Sequence, residues 1–374
     1  MRLEKVKREF IGYMEEVHGV NPYPRNFFGC LMAIIVEMEP VSQERIVELT
    51  GYSQGTVSLA IQKLRMLFPI RIVKRKGDRR NYYVYDDAPN SFILDLLQRR
   101  VDVQDIDIKL VDTVLEEVRN KIGEDESSIR FQNYLSNMRL YLSLIHELRS
   151  NSVEPFHRAL AEGSLESVDI EDAAVLKSGG IADFILNLRE ATSRTALEVP
   201  VGDTPRGLLL LKNEYFTGIK TNLNPLFSQA IADQLIVVHS VLLEGLATQD
   251  RIKEATLLPR STISDALAHA VERGIIEVSG SRPKYYRPAI SFSDLMLASF
   301  DRVASYIVSV KTKLSEFVAA TREVRPKTKT VTEFARFLKE LENAYSLAHA
   351  FSVNMKVQAV RKLKAEYEQG FAFI

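Results

Sequence analysis

The sequence lacks the features of secreted and membrane proteins. Cys30 is the one cysteine among its 374 residues, so no disulfide can form within the chain. The absence of disulfides is typical of a reducing compartment, and we expect a cytoplasmic protein. No apolar run reaches the roughly 20 residues that a membrane-spanning helix needs. The first segment, MRLEKVKREF, also lacks the apolar core of a signal peptide. We therefore expect no membrane partner.

The motifs of common enzyme classes are also missing. The sequence contains no Walker A loop, no glycine motif for dinucleotides, no HExxH and no GxSxG. Gly179-Gly180 is too short to cradle a phosphate, and the six histidines show no metal-ligand spacing. Cys30 lies in the apolar segment FFGCLMAIIV, where we expect it to be a core residue. We expect a protein that is not an enzyme and that has no metal or cofactor.

The chain has no net charge, because 49 lysines and arginines balance 49 aspartates and glutamates. A protein that binds polyanions over its whole surface is therefore disfavoured. The charges are nevertheless segregated: six cations lie between Arg71 and Arg80, and an acidic region runs from Asp102 to Glu126. A local positive surface is sufficient for nucleic-acid binding, so the neutral average does not exclude it.

The segment Val41–Tyr85 has the pattern of a helix, a tight turn, a second helix and a basic hairpin. Its apolar residues recur at helical spacing: Ile46, Leu49, Val57, Ile61 and Leu64. Ser42 and Ser53 are N-cap candidates, and Gly51 lies at the turn. Strands are predicted at Ile70–Arg75 and Asn81–Tyr85, joined by a turn at Lys76-Gly77-Asp78. A helix-turn-helix followed by a basic hairpin is a winged helix, which predicts DNA binding.

The same pattern occurs a second time in the chain. The segment SQERIVELTGYSQGTVSLAIQKL, starting at Ser42, aligns without gaps with TQDRIKEATLLPRSTISDALAHA, starting at Thr248. Beyond a wing that is three residues shorter, Tyr82-Tyr83 aligns with Tyr285-Tyr286, and later Phe131 aligns with Phe334. We interpret the chain as an internal duplication of one module.

The remaining helices set the predicted domain boundaries. Residues 1–150 form the first module, with its winged-helix core at 26–87. Residues 151–204 form a helical linker with a short helix at Ile181–Thr192. Residues 205–374 form the second, divergent module, with its core at 230–289 and a further helix at Ser352–Gln369. The heptad spacing of Ile108, Val111, Leu115, Val118 and Ile122 predicts long helical hairpins of the dimerisation type. The predicted fold is mostly α with small β wings: two tandem winged helix-turn-helix modules joined by long helices.

The first copy resembles the GbsR-like branch of the MarR family of transcription regulators. The residues that carry this resemblance run from Val20-Asn21-Pro22 through Arg25 and Gly29 to Ser53–Ser58 and the wing, Lys76–Tyr83. It covers residues 5–150 well and 210–350 weakly. The resemblance implies a dimeric, repressor-type protein that places its recognition helix in the major groove of double-stranded DNA and its wings on the flanking backbone or minor groove. It also implies a response to a small-molecule effector.

The chain departs from the family pattern in two ways. It carries two modules, so it can form a pseudo-dimer within one chain, with a homodimer through the long helices as the other possibility. The second copy has Leu257-Leu258-Pro259 where the first has Gly51-Tyr52-Ser53, and its wing keeps few cations. The second module can therefore be a weak DNA binder or mainly a structural partner.

The predicted DNA contacts lie on both recognition helices and both wings. Gln54 is the best candidate for base reading, because an amide can bond adenine with two hydrogen bonds. The paired tyrosines are expected to pack the hairpins, and Arg71 is a candidate for pairing within the protein. The predicted contact residues are Ser53, Gln54, Gly55, Thr56, Ser58, Gln62, Lys74, Arg75, Lys76, Arg79, Arg80, Arg260, Ser261, Thr262, Ser264, Arg282 and Lys284.

These observations favour a sequence-specific, repressor-like transcription regulator, and the family resemblance implies that it responds to an effector. The alternative is a winged-helix protein that binds other proteins or organises chromosomes without operator specificity. Ordinary solvated helix and hairpin faces would explain the same polar residues.

Overall fold

The computed structural model describes residues 2–18, 25–88, 91–121, 125–164, 204–223, 229–326 and 328–370. Most of the predicted linker, including Gly179-Gly180 and the predicted helix Ile181–Thr192, lies outside these residues. The prediction of a mostly helical fold with small β wings is confirmed.

The first half of the chain contains six helices and three short strands within the described residues. They are α1 (Leu3–His18), α2 (Arg25–Glu37), β1 (Val41–Ser42), α3 (Gln43–Thr50), α4 (Gln54–Leu67), β2 (Ile70–Val73), β3 (Tyr82–Tyr85), α5 (Phe92–Lys121) and α6 (Glu126–Glu162). The second half repeats this order of elements, except that it has no counterpart to β1. They are α7 (Arg206–Leu223), α8 (Gln229–Glu244), α9 (Gln249–Thr256), α10 (Arg260–Glu272), β4 (Ile276–Ser279), β5 (Tyr285–Pro288), α11 (Phe292–Glu323) and α12 (Lys329–Glu368).

Local capping explains the tight turns of both helix-turn-helix segments. The Ser42 hydroxyl accepts a hydrogen bond from the Arg45 amide, and Gly51 ends α3 in the left-handed region with φ +74°. Thr248 caps α9 in the same way through the Arg251 amide. At the end of α9, Leu257 has φ +59°, so a leucine adopts the backbone conformation that a glycine adopts in the first copy.

Each wing is an antiparallel hairpin. In the first, β3 lies between β1 and β2, and Tyr83 is paired with both Val41 and Ile72. In the second, β4 pairs with β5, and a single bridge between Ala247 and Tyr286 takes the place of the β1–β3 pairing. Tyr82, Tyr83 and Tyr286 are buried, as predicted for residues that pack a hairpin.

The chain divides into two compact units, and each is assembled from both halves of the sequence. Unit 1 comprises Met1–Arg99, Ser152–Ile170 and Ala304–Phe351, and unit 2 comprises Arg100–Asn151, Glu171–Val303 and Ser352–Ile374. Each winged helix therefore shares a unit with long-helix segments of the opposite half of the chain. The predicted modules follow the sequence repeat, whereas the units follow the packing.

Aromatic side chains form the core of unit 1. Phe10 of α1 makes edge-to-face contacts with Phe317 of α11 and with Phe334 and Phe337 of α12, at ring-centroid distances of 5.6, 6.1 and 5.9 Å. Pairs of this geometry are worth about 0.5–1.5 kcal/mol beyond the area they bury. Cys30 lies fully buried in the neighbouring helix α2, as predicted.

The core of unit 2 has the same arrangement, but its leading helix comes from the second half of the chain and its long helix from the first half. Tyr215 of α7 makes edge-to-face contacts with Phe131 and Tyr134 of α6, at 6.1 and 6.0 Å. In the sequence repeat Phe131 corresponds to Phe334. Tyr134, three residues further along the chain, corresponds to Phe337. The leading helix of each half thus packs on the long helices of the other half.

The prediction of a separate helix at Ser352–Gln369 is wrong. Helix α12 continues from Lys329 to Glu368 as a single helix of 40 residues. Neither proline nor glycine occurs between these positions, so no residue interrupts the backbone hydrogen bonds. In the first half, α6 likewise continues through residue 150 to Glu162.

Candidate nucleic-acid interface

Helix α4 is fixed to unit 1 by one apolar face. Val57, Ala60, Ile61 and Leu64 are buried, and they recur at the spacing of a helix packed on one side. The Ser53 hydroxyl accepts a hydrogen bond from the Thr56 amide at 3.2 Å and lies 2.9 Å from the Thr56 hydroxyl. These capping hydrogen bonds fix the first turn of α4, and the side of this turn that faces away from the buried residues remains exposed.

The opposite face of α4 is exposed and contains no acidic residue. With 3.6 residues per turn, the positions directly opposite the buried stripe are Gly55, Leu59, Gln62 and Met66. The other exposed side chains of this helix are Gln54, Ser58, Lys63 and Arg65. Thr56 is half-buried. The exposed face therefore presents amides, a hydroxyl, two cations and two apolar side chains to its surroundings.

Gly55 has no explanation within the folded chain. Its φ is not positive, and a Cβ placed on it would meet only the Ser53 hydroxyl oxygen, at 4.0 Å. By contrast, a Cβ at Gly29 would lie 1.5 Å from a carboxylate oxygen of Glu15, so packing explains that glycine. A glycine in a helix costs about 0.5–1 kcal/mol relative to alanine. Its position in the first turn of α4, directly opposite the buried stripe, is suited to close approach by another molecule.

Three of the predicted wing cations are engaged within the protein. Arg80 forms a forked ion pair with Asp78, and this hydrogen bonding, together with a bond from the Tyr82 hydroxyl, holds the pKa of Asp78 below its usual value. Arg75 lies over the Tyr82 ring at 4.1 Å and donates to the Pro40 carbonyl. Lys74 donates to the Arg79 carbonyl at 3.2 Å. These contacts shape the wing and leave the three charges at an exposed surface.

Lys76 and Arg79 are the freest cations of the wing. Both side chains are exposed at the hairpin tip, and the described residues provide neither with an ion-pair partner. Arg71, a candidate for pairing within the protein, forms a forked ion pair with Asp86 at 2.8 and 3.0 Å. The sequence showed the cluster of cations but not which of them are paired.

The second recognition helix, α10, differs from α4 in charge. Ser261, Ser264 and Arg260 are exposed and Thr262 is half-buried, but the exposed face also carries Asp265 and Glu272. Its N-cap residue is Pro259, which provides no side-chain cap. Arg260 is paired with Asp250 at 3.5 Å. The carboxylates would oppose a phosphate backbone, so α10 is a poorer DNA-reading surface than α4.

The second wing keeps two exposed cations near its tip. Arg282 and Lys284 are exposed, whereas Arg287 forms an ion pair with Glu277 at 2.6 Å. The structure thus brings together Gln54, Gly55, Ser58 and Gln62 on one surface of α4. Ser53 and Thr56, which are also predicted contacts, lie at the N-cap and in the first turn of the same helix. The remaining predicted contacts lie on the first wing, on α10 and on the second wing.

A partly buried ion cluster behind each helix-turn-helix was not predicted from the sequence. In unit 1, Lys7 and Arg45 bond Glu37; burial alone would raise the pKa of Glu37, but these hydrogen bonds lower it below its usual value. In unit 2, Lys212 and Arg251 bond Glu244 in the same arrangement. The signal was available in the sequence, since all three residue types recur at about the repeat spacing.

Unit 2 also contains a buried polar contact with no counterpart among the aromatic pairs of unit 1. The Tyr134 hydroxyl lies 3.0 Å from Nδ1 of His239 and 3.5 Å from the Tyr215 hydroxyl. Burial lowers the pKa of His239 to about 4, so the imidazole is neutral at physiological pH. At the equivalent of Tyr134, unit 1 has Phe337. The two units therefore share their packing but differ in core polarity.

Comparison with known proteins does not assign a function to this chain. No family model matches the chain, and no curated protein is similar to it. A crystal structure described as a transcriptional regulator aligns with 41% of this chain and 97% of that chain, at 20% sequence identity and a TM-score of 0.30. Similarity at this level does not transfer a function. In the described part of the chain, no helix is long and apolar enough to cross a membrane.

Proposed function

We propose that the protein is a sequence-specific regulator of transcription that reads double-stranded DNA with helix α4. The observation that carries this proposal is Gly55, a helical glycine that the folded chain does not require, at the N-terminal end of an exposed face without carboxylates. A major groove admits a helix, and a residue without a side chain lets the backbone approach the DNA closely. The resemblance of the first copy to the GbsR-like MarR proteins supports a repressor-type, non-enzymatic, cytoplasmic role.

The residues of the first module divide into two groups by their chemistry. Gln54 and Gln62 carry amides, which can bond adenine in the major groove, and Ser58 can bond any base or a phosphate. Lys76 and Arg79 at the wing tip carry positive charges that suit phosphate, and contacts to phosphate contribute little sequence information. Reading the bases and holding the backbone are thus assigned to different elements of one module.

The second module has a supporting role in this proposal. The carboxylates of Asp265 and Glu272 on α10 oppose base reading, while Arg282 and Lys284 on the wing can still contact phosphates. Its recurring ion cluster and aromatic packing support an internal duplication and hence a pseudo-dimer within one chain. Response to a small-molecule effector rests on the family resemblance alone, and a panel of metabolites added to the DNA complex would test it.

The alternative function is that of a protein-binding or chromosome-organising winged helix. The zero net charge and the acidic α10 face favour it. Fluorescence anisotropy of the full chain decides between the two. The DNA probes would be a duplex selected from a random pool and a scrambled duplex of equal length, measured over a salt series. A complex about 10³-fold tighter on the selected duplex supports a regulator. Equal affinity on both duplexes with a steep salt dependence supports the alternative.

A further inference from the structure

Two large apolar side chains are exposed on the reading face of α4. Leu59 is 63% exposed and Met66 is 80% exposed. They lie seven residues apart on the same side of the helix as Gly55 and Gln62. Single exposed apolar residues are common on protein surfaces. Here two of them lie within a small surface that is otherwise suited to DNA.

The fold does not require an apolar residue at position 59. Leu59 is not one of the buried residues that attach α4 to unit 1, which are Val57, Ala60, Ile61 and Leu64. In the second module the aligned position is Asp265, which is also exposed on a well-formed helix. The winged helix therefore accepts an aspartate at this place, and the leucine calls for an explanation outside the folded chain.

Leu59 lies where a recognition helix meets base edges. It is the sixth residue of α4, about 7.5 Å along the helix axis from Gln54. In helix-turn-helix proteins the N-terminal part of the second helix contacts the bases. Met66 lies one residue from the C-terminal end of α4, so Leu59 is the better placed of the two.

A leucine can recognise only one group in the major groove by complementary chemistry. The other base-edge groups there are hydrogen-bond donors and acceptors, whereas thymine presents an apolar C5-methyl group. We propose that Leu59 contacts the methyl group of a thymine and so selects a T·A pair at one position of each site that α4 reads. This inference depends on the proposed function, because it assigns one base contact within it.

Replacing thymine by deoxyuridine tests the contact, because the substitution removes the methyl group and keeps the base pair. The full chain would be titrated by anisotropy against the selected duplex and against duplexes in which one thymine at a time is replaced. Removing one buried methyl group is expected to weaken binding about fourfold at a single position. The Leu59→Ala variant should bind the original duplex more weakly and lose the difference between thymine and uracil at that position.

Two variants complete the experiment. Leu59→Met keeps an apolar side chain and should retain the preference for thymine. Leu210→Ala, which removes an equally exposed leucine from α7, serves as the control that leaves the preference unchanged. Because Leu59 is largely exposed, the alanine variant is expected to fold normally, which circular dichroism would verify. A specific complex with equal affinity on all uracil duplexes, or an effect that persists in Leu59→Ala, would overturn the thymine contact alone. The absence of any specific complex would overturn the proposed function and this inference together.

Discussion

Replacing Gly55 by alanine is expected to raise the stability of the protein and to lower its affinity for DNA. The methyl group would meet no atom of the folded chain closer than the Ser53 hydroxyl oxygen at 4.0 Å, so it should fit without strain. Alanine is a better helix former than glycine, which favours the folded state. In the DNA complex the same methyl group would hold α4 away from the groove.

The two effects have different expected sizes. Glycine costs about 0.5–1 kcal/mol in a helix interior, and Gly55 is only the second residue of α4, so we expect a gain of about 0.5 kcal/mol in the free energy of unfolding. The loss of binding should resemble that of one mismatched base pair, about 1–3 kcal/mol, or roughly 5- to 150-fold in Kd. Urea denaturation followed by circular dichroism gives the stability, since the chain has no tryptophan. Anisotropy on the selected duplex gives the affinity.

Gly12 provides a matched control. It is an exposed glycine within α1, and a Cβ placed there would meet nothing within 4 Å. Gly12→Ala should stabilise the protein by about 0.5–1 kcal/mol and leave DNA affinity unchanged. If Gly55→Ala also left the affinity unchanged, nothing would approach α4 closely at this glycine, and the main argument for α4 as the reading helix would fail.

Three further predictions concern other parts of the molecule. Leu257→Gly should raise the free energy of unfolding by about 0.5–1 kcal/mol in urea denaturation. The leucine has a positive φ, and because it is 67% exposed its removal costs few contacts; an unchanged free energy of unfolding would refute the argument from strain. Burial raises the pKa of Asp107 to about 6, so ionisation of this carboxyl disfavours folding above that pH, and the penalty disappears as the pH falls below about 4. Asp107→Asn should therefore stabilise unit 2 by about 2–3 kcal/mol at pH 7.5 and by only about 1 kcal/mol at pH 4.5, and an equal effect at both would contradict this. The pair Lys76→Ala and Arg79→Ala should lower the slope of log K against log salt by about 1.8, while Arg71→Ala, whose partner is Asp86, should change it little; equal slopes would exclude the wing tip from phosphate contact.

Local sequence signals predicted the helix-turn-helix well because its turns depend on neighbouring residues. Ser42, Gly51 and Ser53 each act within three or four residues of their own position, and all three take the expected caps. Strand ends are less well determined by local sequence, and both strands of the first wing are shorter than predicted. The composition of the wing also could not show that Arg80 pairs with Asp78, because that pairing depends on the conformation of the turn.

The exchange of long helices between the two halves could not be predicted from periodicity. Both hairpins carry the same apolar spacing, and residues such as Phe131 and Phe334 are interchangeable in character. A heptad pattern shows that a helix has a partner but not which of two equivalent partners it takes. The sequence of α12 contains neither proline nor glycine, which is consistent with one continuous helix. The predicted helix boundary at Ser352 does not exist in the backbone.

The exchanged packing has a consequence for synthesis on the ribosome. The apolar side of α1 that carries Phe10 is covered by Phe317, Phe334 and Phe337, which follow it by more than 300 residues in the chain. At about 5–20 residues per second, Phe10 would wait roughly 15–60 s for these partners. The nascent chain thus emerges with its first helix-turn-helix ahead of the helices that complete its core. Chaperone dependence during expression, and poor yield of a fragment that ends near the middle of the chain, are the expected outcomes.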